Sequence, residues 1–567
     1  MPDLLPLADV APAGDLRRRA ALAFQRLQEP AFRYEAMVRS STAREAPGDW
    51  IGRALLGLSL LGQTLKVEPT YLEEIIARLP EALNARGYIG EIHPEGRADE
   101  NQVGGHNGLL RGLCEVYLWK QDPRALALIR SVVRNLMIPT RPLYSEYPDH
   151  KLAALADGRP IGLTVKHDGV WVGLSTDIGT VFFTLDGLTQ AHAVDPNPDL
   201  RALIETMIAR YAQLDVRRIG AQTHSTLSTL RGILRWWEQT DRRPELLALV
   251  RDRYALYREC AETEHHANFN WFDRPEWTEA CAVVDSFLLA IELWRATSEA
   301  GYLEQAHRVY HNALSYAQRP NGGFGCDLCV GAAGRLHLAP HPKIYEAPWC
   351  CSMRGAEGLA RAAQAATVAD AGAGALWHLF YFEGETTLRF SSGELVLRST
   401  SAYPYDGHVE WVVVRTTVRQ ALVWNFVVPP GVFADELKLS VAGKSCGLDA
   451  SDGFVRSRMI AEVGQRLSLR FPLRVAVAPP HSPAFPAGHH RFTYGPLLLG
   501  AELPPSEAPS DRVVALSPDD AFVPVGRGRF HCVRAGVVLQ PIDDLTYRTE
   551  SEARGHRTQL LFPDDTL

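Results

Sequence analysis

Residues 109–121 read LLRGLCEVYLWKQ, residues 122–123 read Asp-Pro, and residues 125–138 read ALALIRSVVRNLMI. Apolar side chains fall on one face at about 3.6-residue spacing on both sides of the Asp-Pro break, which predicts two helices joined by a tight turn. The same unit recurs along the chain. Residues 181–194 and 200–211 flank Asp195-Pro196-Asn197-Pro198, 227–240 and 246–257 flank residues 241–244, and 285–298 and 302–316 flank Gly301. An earlier pair covers 51–61 and 71–84 and leaves through Gly87-Tyr88-Ile89-Gly90, much as the last pair leaves through Asn321-Gly322-Gly323-Phe324-Gly325. A uniform solenoid would repeat at a fixed period, whereas these hairpins recur at roughly 45 to 75 residues. They are also separated by long insertions, 140–180 and 258–284, rich in Gly, His, Trp and Asn. The pattern therefore predicts an (α/α)6 toroid with its long loops gathered at one mouth. A helix over 15–27 and one following Cys351 supply the remaining pair.

Beyond about residue 375 the apolar runs shorten and the turns change to Ser391-Ser392-Gly393 and Ala442-Gly443-Lys444. Residues 376–382, 386–390, 394–399, 410–416, 422–428, 437–441 and 466–471 read as strands. The expected fold is thus multidomain, α then β: a toroid over 1–375 and an antiparallel β-sandwich over 376–567. Residues 1–14 read as a loose arm, and 505–567 either complete the sandwich or wrap back on the toroid.

A chain of 567 residues exceeds one small core. Its net charge of -7 argues against a nucleic-acid surface. Nine cysteines, an odd number spread unevenly, do not make a secreted disulfide framework. The first ten residues carry no basic segment and two prolines, unlike a signal peptide, and no apolar run is long enough for a membrane span. The expected compartment is the cytoplasm, where thiols stay reduced. A homodimer is compatible with all of this, and the sequence sets no oligomeric state.

Cys350 and Cys351 stand between the aromatic loop Tyr345-Glu346-Ala347-Pro348-Trp349 and a helix start. A helix N-terminus favours thiolate over thiol. Taken alone, the pair reads as two reduced core cysteines. About seventy residues earlier Glu279-Ala280-Cys281 also stands at a helix start. Together Glu279, Cys281, Cys350 and Cys351 offer three sulfurs and one oxygen, a set that suits tetrahedral zinc. Cys326-Asp327-Leu328-Cys329 has no second Cys-x-x-Cys beside it and reads as a reduced loop pair. The loop Glu262-Thr263-Glu264-His265-His266-Ala267-Asn268-Phe269-Asn270-Trp271 is dense in groups that could protonate or stack on a sugar, with Glu264, His266 and Trp271 foremost. His106 and His224 each open an inner helix on this reading and face the mouth, where they would touch substrate. Lys166-His167-Asp168 and Ser175-Thr176-Asp177 are weaker mouth candidates.

Glu279-x-Cys281 with Cys350-Cys351, then Tyr403-Pro404-Tyr405-Asp406-Gly407 and Tyr494-Gly495-Pro496-Leu497-Leu498-Leu499, resemble in order and spacing the motifs of glycoside hydrolase family 127, the β-L-arabinofuranosidase family, over roughly 50–505. The resemblance implies a retaining exo-glycosidase acting on a non-reducing terminal sugar of a carbohydrate substrate. It places zinc on Glu279, Cys281, Cys350 and Cys351, with Cys350 as nucleophile and Glu264 as acid/base, or Glu262 failing that. It also matches His106 and His224 to the family's mouth histidines. This sequence departs from the family in Cys350-Cys351-Ser352-Met353-Arg354, where the family has Cys-Cys-Pro-Pro-Asn, and around Glu264, where it has Gly-Glu-Ala-Phe. It reads as a divergent member, and its sugar need not be arabinofuranose. A non-catalytic carbohydrate-binding protein on the same fold is the alternative. An epimerase on the toroid is disfavoured because it needs no β-sandwich.

Overall fold

A computed structural model describes residues 2–43, 46–151, 164–331, 334–482, 488–503 and 513–564. In chain order the helices are α1 (Gly14–Leu27), α2 (Tyr34–Ala43), α3 (Asp49–Leu65), α4 (Leu72–Arg78), α5 (Glu100–Lys120), α6 (Pro123–Val132) and α7 (Thr184–Val194). They continue with α8 (Pro198–Ala212), α9 (Thr223–Gln239), α10 (Pro244–Cys260), α11 (Ala280–Thr297), α12 (Ala300–Arg308), α13 (Ser315–Ala317) and α14 (Cys351–Ala365). Helices α3, α5, α7, α9, α11 and α14 each pack on the next, and α14 returns to α3, so six inner helices close a ring. Around it α4, α6, α8, α10 and α12 back the inner helix each adjoins, and α1 bridges α14 and α3. The (α/α)6 toroid expected from the hairpin pattern is the observed fold, with the helix after Cys350 completing it.

An inner helix touches neighbours on three sides. That is why Ile51 to Leu61 is buried throughout rather than striped, Arg53 and Ser59 included. Between α3 and α5 the backbones themselves meet. A Cβ on Gly52 would lie 2.0 Å from the Gly108 carbonyl carbon and the Leu109 nitrogen, and one on Gly112 would lie 2.2 Å from the Gly52 oxygen.

Charge, not only apolar packing, fills the middle of the ring. Arg111 Nε lies 3.0 Å from Asp186 Oδ2, Arg231 Nη1 2.9 Å from Asp285 Oδ1, and Arg235 Nη1 2.6 Å from Asp186 Oδ1. Arg354 pairs with both Asp285 and Glu357, and Arg111 reaches Glu357 as well. Burial alone would raise the Asp186 carboxyl, yet Arg111, Arg231 and Arg235 hold it well below the carboxylate range. These residues come from α5, α7, α9, α11 and α14.

The β region holds a seven-stranded sheet and a five-stranded sheet, packed over Trp411, Trp424, Phe426 and the ring of His378. The sandwich is antiparallel except where Ala375–His378 runs parallel to Leu422–Val427. Thr367–Asp370 already belongs to the five-stranded sheet. The described part of the stretch expected as a loose arm, 2–14, is tied down: Val10–Pro12 pairs with Gly384–Phe390 at the edge of the seven-stranded sheet. The C-terminal stretch resolves in favour of wrapping back. Thr558–Gln559 pairs with His337–Pro340 of a toroid loop within a third, ten-stranded sheet.

The two β motifs quoted above form the seam between toroid and sandwich. The Tyr403 hydroxyl donates to His307 Nδ1 at 3.1 Å, while His307 Nε2 donates to the Leu379 carbonyl at 2.7 Å. Asn312 accepts the Leu498 N–H at 2.7 Å and donates to the Pro496 carbonyl at 2.9 Å. No described helix is long and apolar enough to cross a membrane.

Gly52→Ala is expected to lower stability by about 2–3 kcal/mol, because neither backbone can retreat from the new methyl group. Gly301→Ala, where a Cβ meets nothing within 4 Å, leaves stability unchanged or slightly raised. Urea denaturation of both variants checks the contrast.

Candidate functional site

Two neighbouring inner helices, α11 and α14, begin at the same end of the ring. Glu279 is the residue before α11, Cys281 lies in its first turn, Cys350 is the residue before α14 and Cys351 its first residue. Each start is tied down by the loop that precedes it. The Glu279 N–H donates to Asn268 Oδ1 at 3.0 Å, and Asn268 Nδ2 donates to Thr223 Oγ1 at 2.9 Å. The Ser352 hydroxyl donates to Glu346 Oε1 at 2.9 Å. The four side chains consequently converge, their ligand atoms all lying within 4.8 Å of one another. Cys350 and Cys351 Sγ are 3.5 Å apart, well beyond a disulfide bond, and Cys281 Sγ is 4.0 Å from Cys351 Sγ.

Cys281 and Cys351 are fully buried, whereas Cys350 keeps partial exposure. Burial, reinforced by the neighbouring Cys350 thiol, pushes the Cys281 thiol well up. The Cys350 thiol also ends well up, because Cys351 and burial outweigh the hydrogen bond from Cys281. Crowded thiols of this kind stay protonated unless a cation joins them. A protein cation does lie against Cys281: Arg53 Nη1 is 3.5 Å from its Sγ, while Asp49 holds the Arg53 Nε at 2.7 Å. Glu279 Oε2 is buried without a hydrogen-bond partner. Three soft sulfurs and an unpartnered carboxylate oxygen fit a zinc-type cation.

His224, at the start of α9, has Nδ1 2.9 Å from Asp285 Oδ2, one turn below Cys281 on α11, and its Nε2 is buried with no partner. An imidazole oriented by a carboxylate with its other nitrogen free can give or take a proton. Trp349, beside Cys350, stacks on Trp50 of α3 with centroids 6.3 Å apart at 21°, and both indoles are only partly buried.

Several expected site residues are employed elsewhere. His106 lies in the second turn of α5, not at a helix start. Its Nδ1 donates to the Gln102 carbonyl at 2.7 Å and its Nε2 accepts the Ile89 N–H at 3.1 Å, so neither nitrogen is left for substrate. Burial lowers its pKa to about 4, and it serves as a neutral pin for the glycine loop at 87–90. Trp271 is buried, donates to Asp177 Oδ2 at 3.0 Å, meets Trp277 edge-on and is covered by Arg274, so it offers no open face for a sugar. His266 has Nδ1 2.7 Å from Glu262 Oε1.

Glu264 is fully buried. Its two oxygens accept the backbone N–H groups of His481 at 2.8 Å and Ser482 at 2.6 Å, and Arg491 donates to its carbonyl. That is the arrangement of an anchor for the 481–482 segment, not of a proton donor. Cys326 and Cys329 are free and buried, as a reduced loop pair should be. Of the 164–177 candidates, Asp177 accepts the Trp271 indole N–H. Arg53, Trp50, Asn268 and Asp285 were not singled out from sequence. The spacing of Cys281 and Asp285, i and i+4 on one helix, was the one available signal.

No protein-family model and no curated protein sequence matches the chain. Solved structures do. One titled as a family GH127 β-arabinofuranosidase matches with a TM-score of 0.71 at 14% identity, over 100% of this chain and 98% of that one. A GH127 β-L-arabinofuranosidase from Geobacillus stearothermophilus T6 matches with 0.69 at 14%, over 98% and 100%. A structure titled glycoside hydrolase matches with 0.69 at 13%, over 99% and 97%. The chain therefore carries, from end to end, the toroid-plus-sandwich fold of those proteins.

Removing the Glu264 carboxylate strands two buried N–H donors. Glu264→Ala is expected to cost about 2–4 kcal/mol of stability in urea denaturation, Glu264→Gln less, because one acceptor oxygen remains.

Proposed function

We propose that the protein is a retaining exo-glycosidase that cleaves a non-reducing terminal sugar, of the β-L-arabinofuranoside class, with Cys350 as nucleophile. The observation that carries the reading is the convergence of Glu279, Cys281, Cys350 and Cys351 at two adjacent helix starts, with Cys350 the sulfur that keeps exposure. The neighbours' fold supports the reaction class. Glu279, Cys281, Cys350 and Cys351 would hold zinc, which when bound keeps the sulfurs as thiolates at neutral pH.

In the first step the Cys350 sulfur attacks the anomeric carbon, the glycosidic C–O bond breaks, and a protein acid protonates the departing oxygen. In the second, that same group, now a base, takes a proton from water as the water oxygen attacks the anomeric carbon. The C–S bond breaks and returns the electron pair to Cys350. Trp50 and Trp349 offer the aromatic surface beside the sulfur on which a sugar face can lie. For the acid, geometry favours His224, oriented by Asp285 and free at Nε2, over Glu264, whose oxygens are taken.

A panel of 4-nitrophenyl glycosides tests the reading. Cys350→Ser is expected to lose turnover by at least about a thousand-fold. His224→Ala loses about 10²–10⁴-fold, and less on substrates with good leaving groups. Glu264→Gln, for all its loss of stability, keeps turnover within about tenfold. A Glu264→Gln defect that grows with leaving-group pKa would return the acid role to Glu264. The occupied state of Glu264 also gives ground to a second reading, a carbohydrate-binding protein without hydrolysis. Sugar binding with no turnover across the panel, unchanged in Cys350→Ser, would establish that instead.

A further inference from the structure

A second donor cluster lies apart from the cysteines, where the toroid meets the segment leading into the third sheet. Glu262 and His266 come from the loop after α10, and His481 follows the strand Val475–Ala478. Their ligand atoms lie within 4.8 Å of one another. Glu262 and His266 are fully buried, and the His481 side chain is 19% exposed.

Ordinary hydrogen bonding accounts for half of this cluster. Glu262 Oε1 takes Gln305 Nε2 at 2.6 Å and His266 Nδ1 at 2.7 Å. The other half is unexplained. Glu262 Oε2 and His481 Nε2 face each other at 3.0 Å, yet both are buried atoms with no hydrogen-bond partner. The two lie at ion-pair distance without the alignment of a hydrogen bond. The two imidazole rings are 5.3 Å apart. Buried polar atoms left in this state are costly, and a shared ion is one way to satisfy them.

We propose that Glu262, His266 and His481 form a second metal site, for a divalent transition cation of the zinc type. Two imidazoles and a carboxylate are the donors such a cation takes, and the exposed edge of His481 leaves a position for water. An oxygen-seeking cation such as Ca²⁺ would find one carboxylate only. Arg258 Nε, itself buried and 3.5 Å from Glu262 Oε2 without hydrogen-bond alignment, opposes a cation, and the Glu262 carboxylate would have to be shared between the two.

The ion would staple the 481–482 segment to the 262–268 loop beside the Glu264 clamp. Asn268 on that loop holds the start of α11, so the staple steadies Glu279 from behind. The site does not depend on the glycosidase reading.

The test is zinc content of the full chain after dialysis, with thermal melting. The intact protein is expected to hold about two equivalents, and His481→Ala and His266→Ala about one each. His481→Ala retains the backbone N–H that Glu264 accepts, so the clamp itself survives. In a Cys281→Ser, Cys350→Ser, Cys351→Ser background about one equivalent stays, added Zn²⁺ raises Tm, and a further His481→Ala abolishes both effects. If the triple variant does not fold, the single His variants decide alone. An intact-chain content that His481→Ala and His266→Ala leave unchanged overturns the proposal. An intact chain that holds one equivalent in all, kept through the cysteine changes and lost with His481→Ala, supports this site while counting against the other.

Discussion

The Asp285 carboxylate is the constraint on which the rest turns. It sits at zero exposure on α11 and touches three partners from two other inner helices: Arg231 and His224 from α9, and Arg354 from α14. Leaving one such charge unpaired in the interior costs several kcal/mol, so the ring has to close in the arrangement that pairs them all. Such networks confer little net stability compared with apolar packing. What this one fixes is geometry: the rotation of α9, α11 and α14 about their axes. That rotation decides whether Cys281 and Cys351 face each other and where the free nitrogen of His224 is directed.

The cysteine site has the same logic at a shorter range. Adjacent side chains diverge on regular structure, yet Cys350 and Cys351 reach one volume because Cys350 lies outside helical geometry at φ -146° while Cys351 has entered it. Glu279 and Cys281 repeat the device on α11, with Glu279 at φ -132°. Two residues that straddle a helix start can converge in a way that two residues within a helix cannot.

Most of the architecture was legible in the sequence because it rests on local signals. The hairpins show in 3.6-residue periodicity with Asp-Pro and Gly punctuation, and the cysteine quartet shows because both pairs sit at predicted helix starts. His106 and Glu264 have the residue type and position of site groups, but their hydrogen bonds go to backbone, which residue spacing does not announce: at Ile89, 17 residues away, for His106, and at His481 and Ser482, 217 and 218 residues away, for Glu264. Trp271 was read as a platform because aromatics in loops often are. Its burial depends on Trp277, Arg274 and Asp177 arriving from different directions. The strand at Val10–Pro12 is three residues long and exists only because Gly384–Phe390 offers an edge.

The ring is closed by α14, whose first residue is Cys351 and which packs on α1, α3 and α11. During synthesis, then, α3 through α11 emerge before Cys350 and the helix that begins at Cys351. Until α14 docks, Cys281 and Glu279 lack their partners, and the two halves of the quartet are strangers. The thiol cluster consequently requires the closed ring. A nascent or partly open chain presents separated thiols, and only a finished ring presents a cage. Quality of the fold and competence of the site are thereby a single event in the life of the chain.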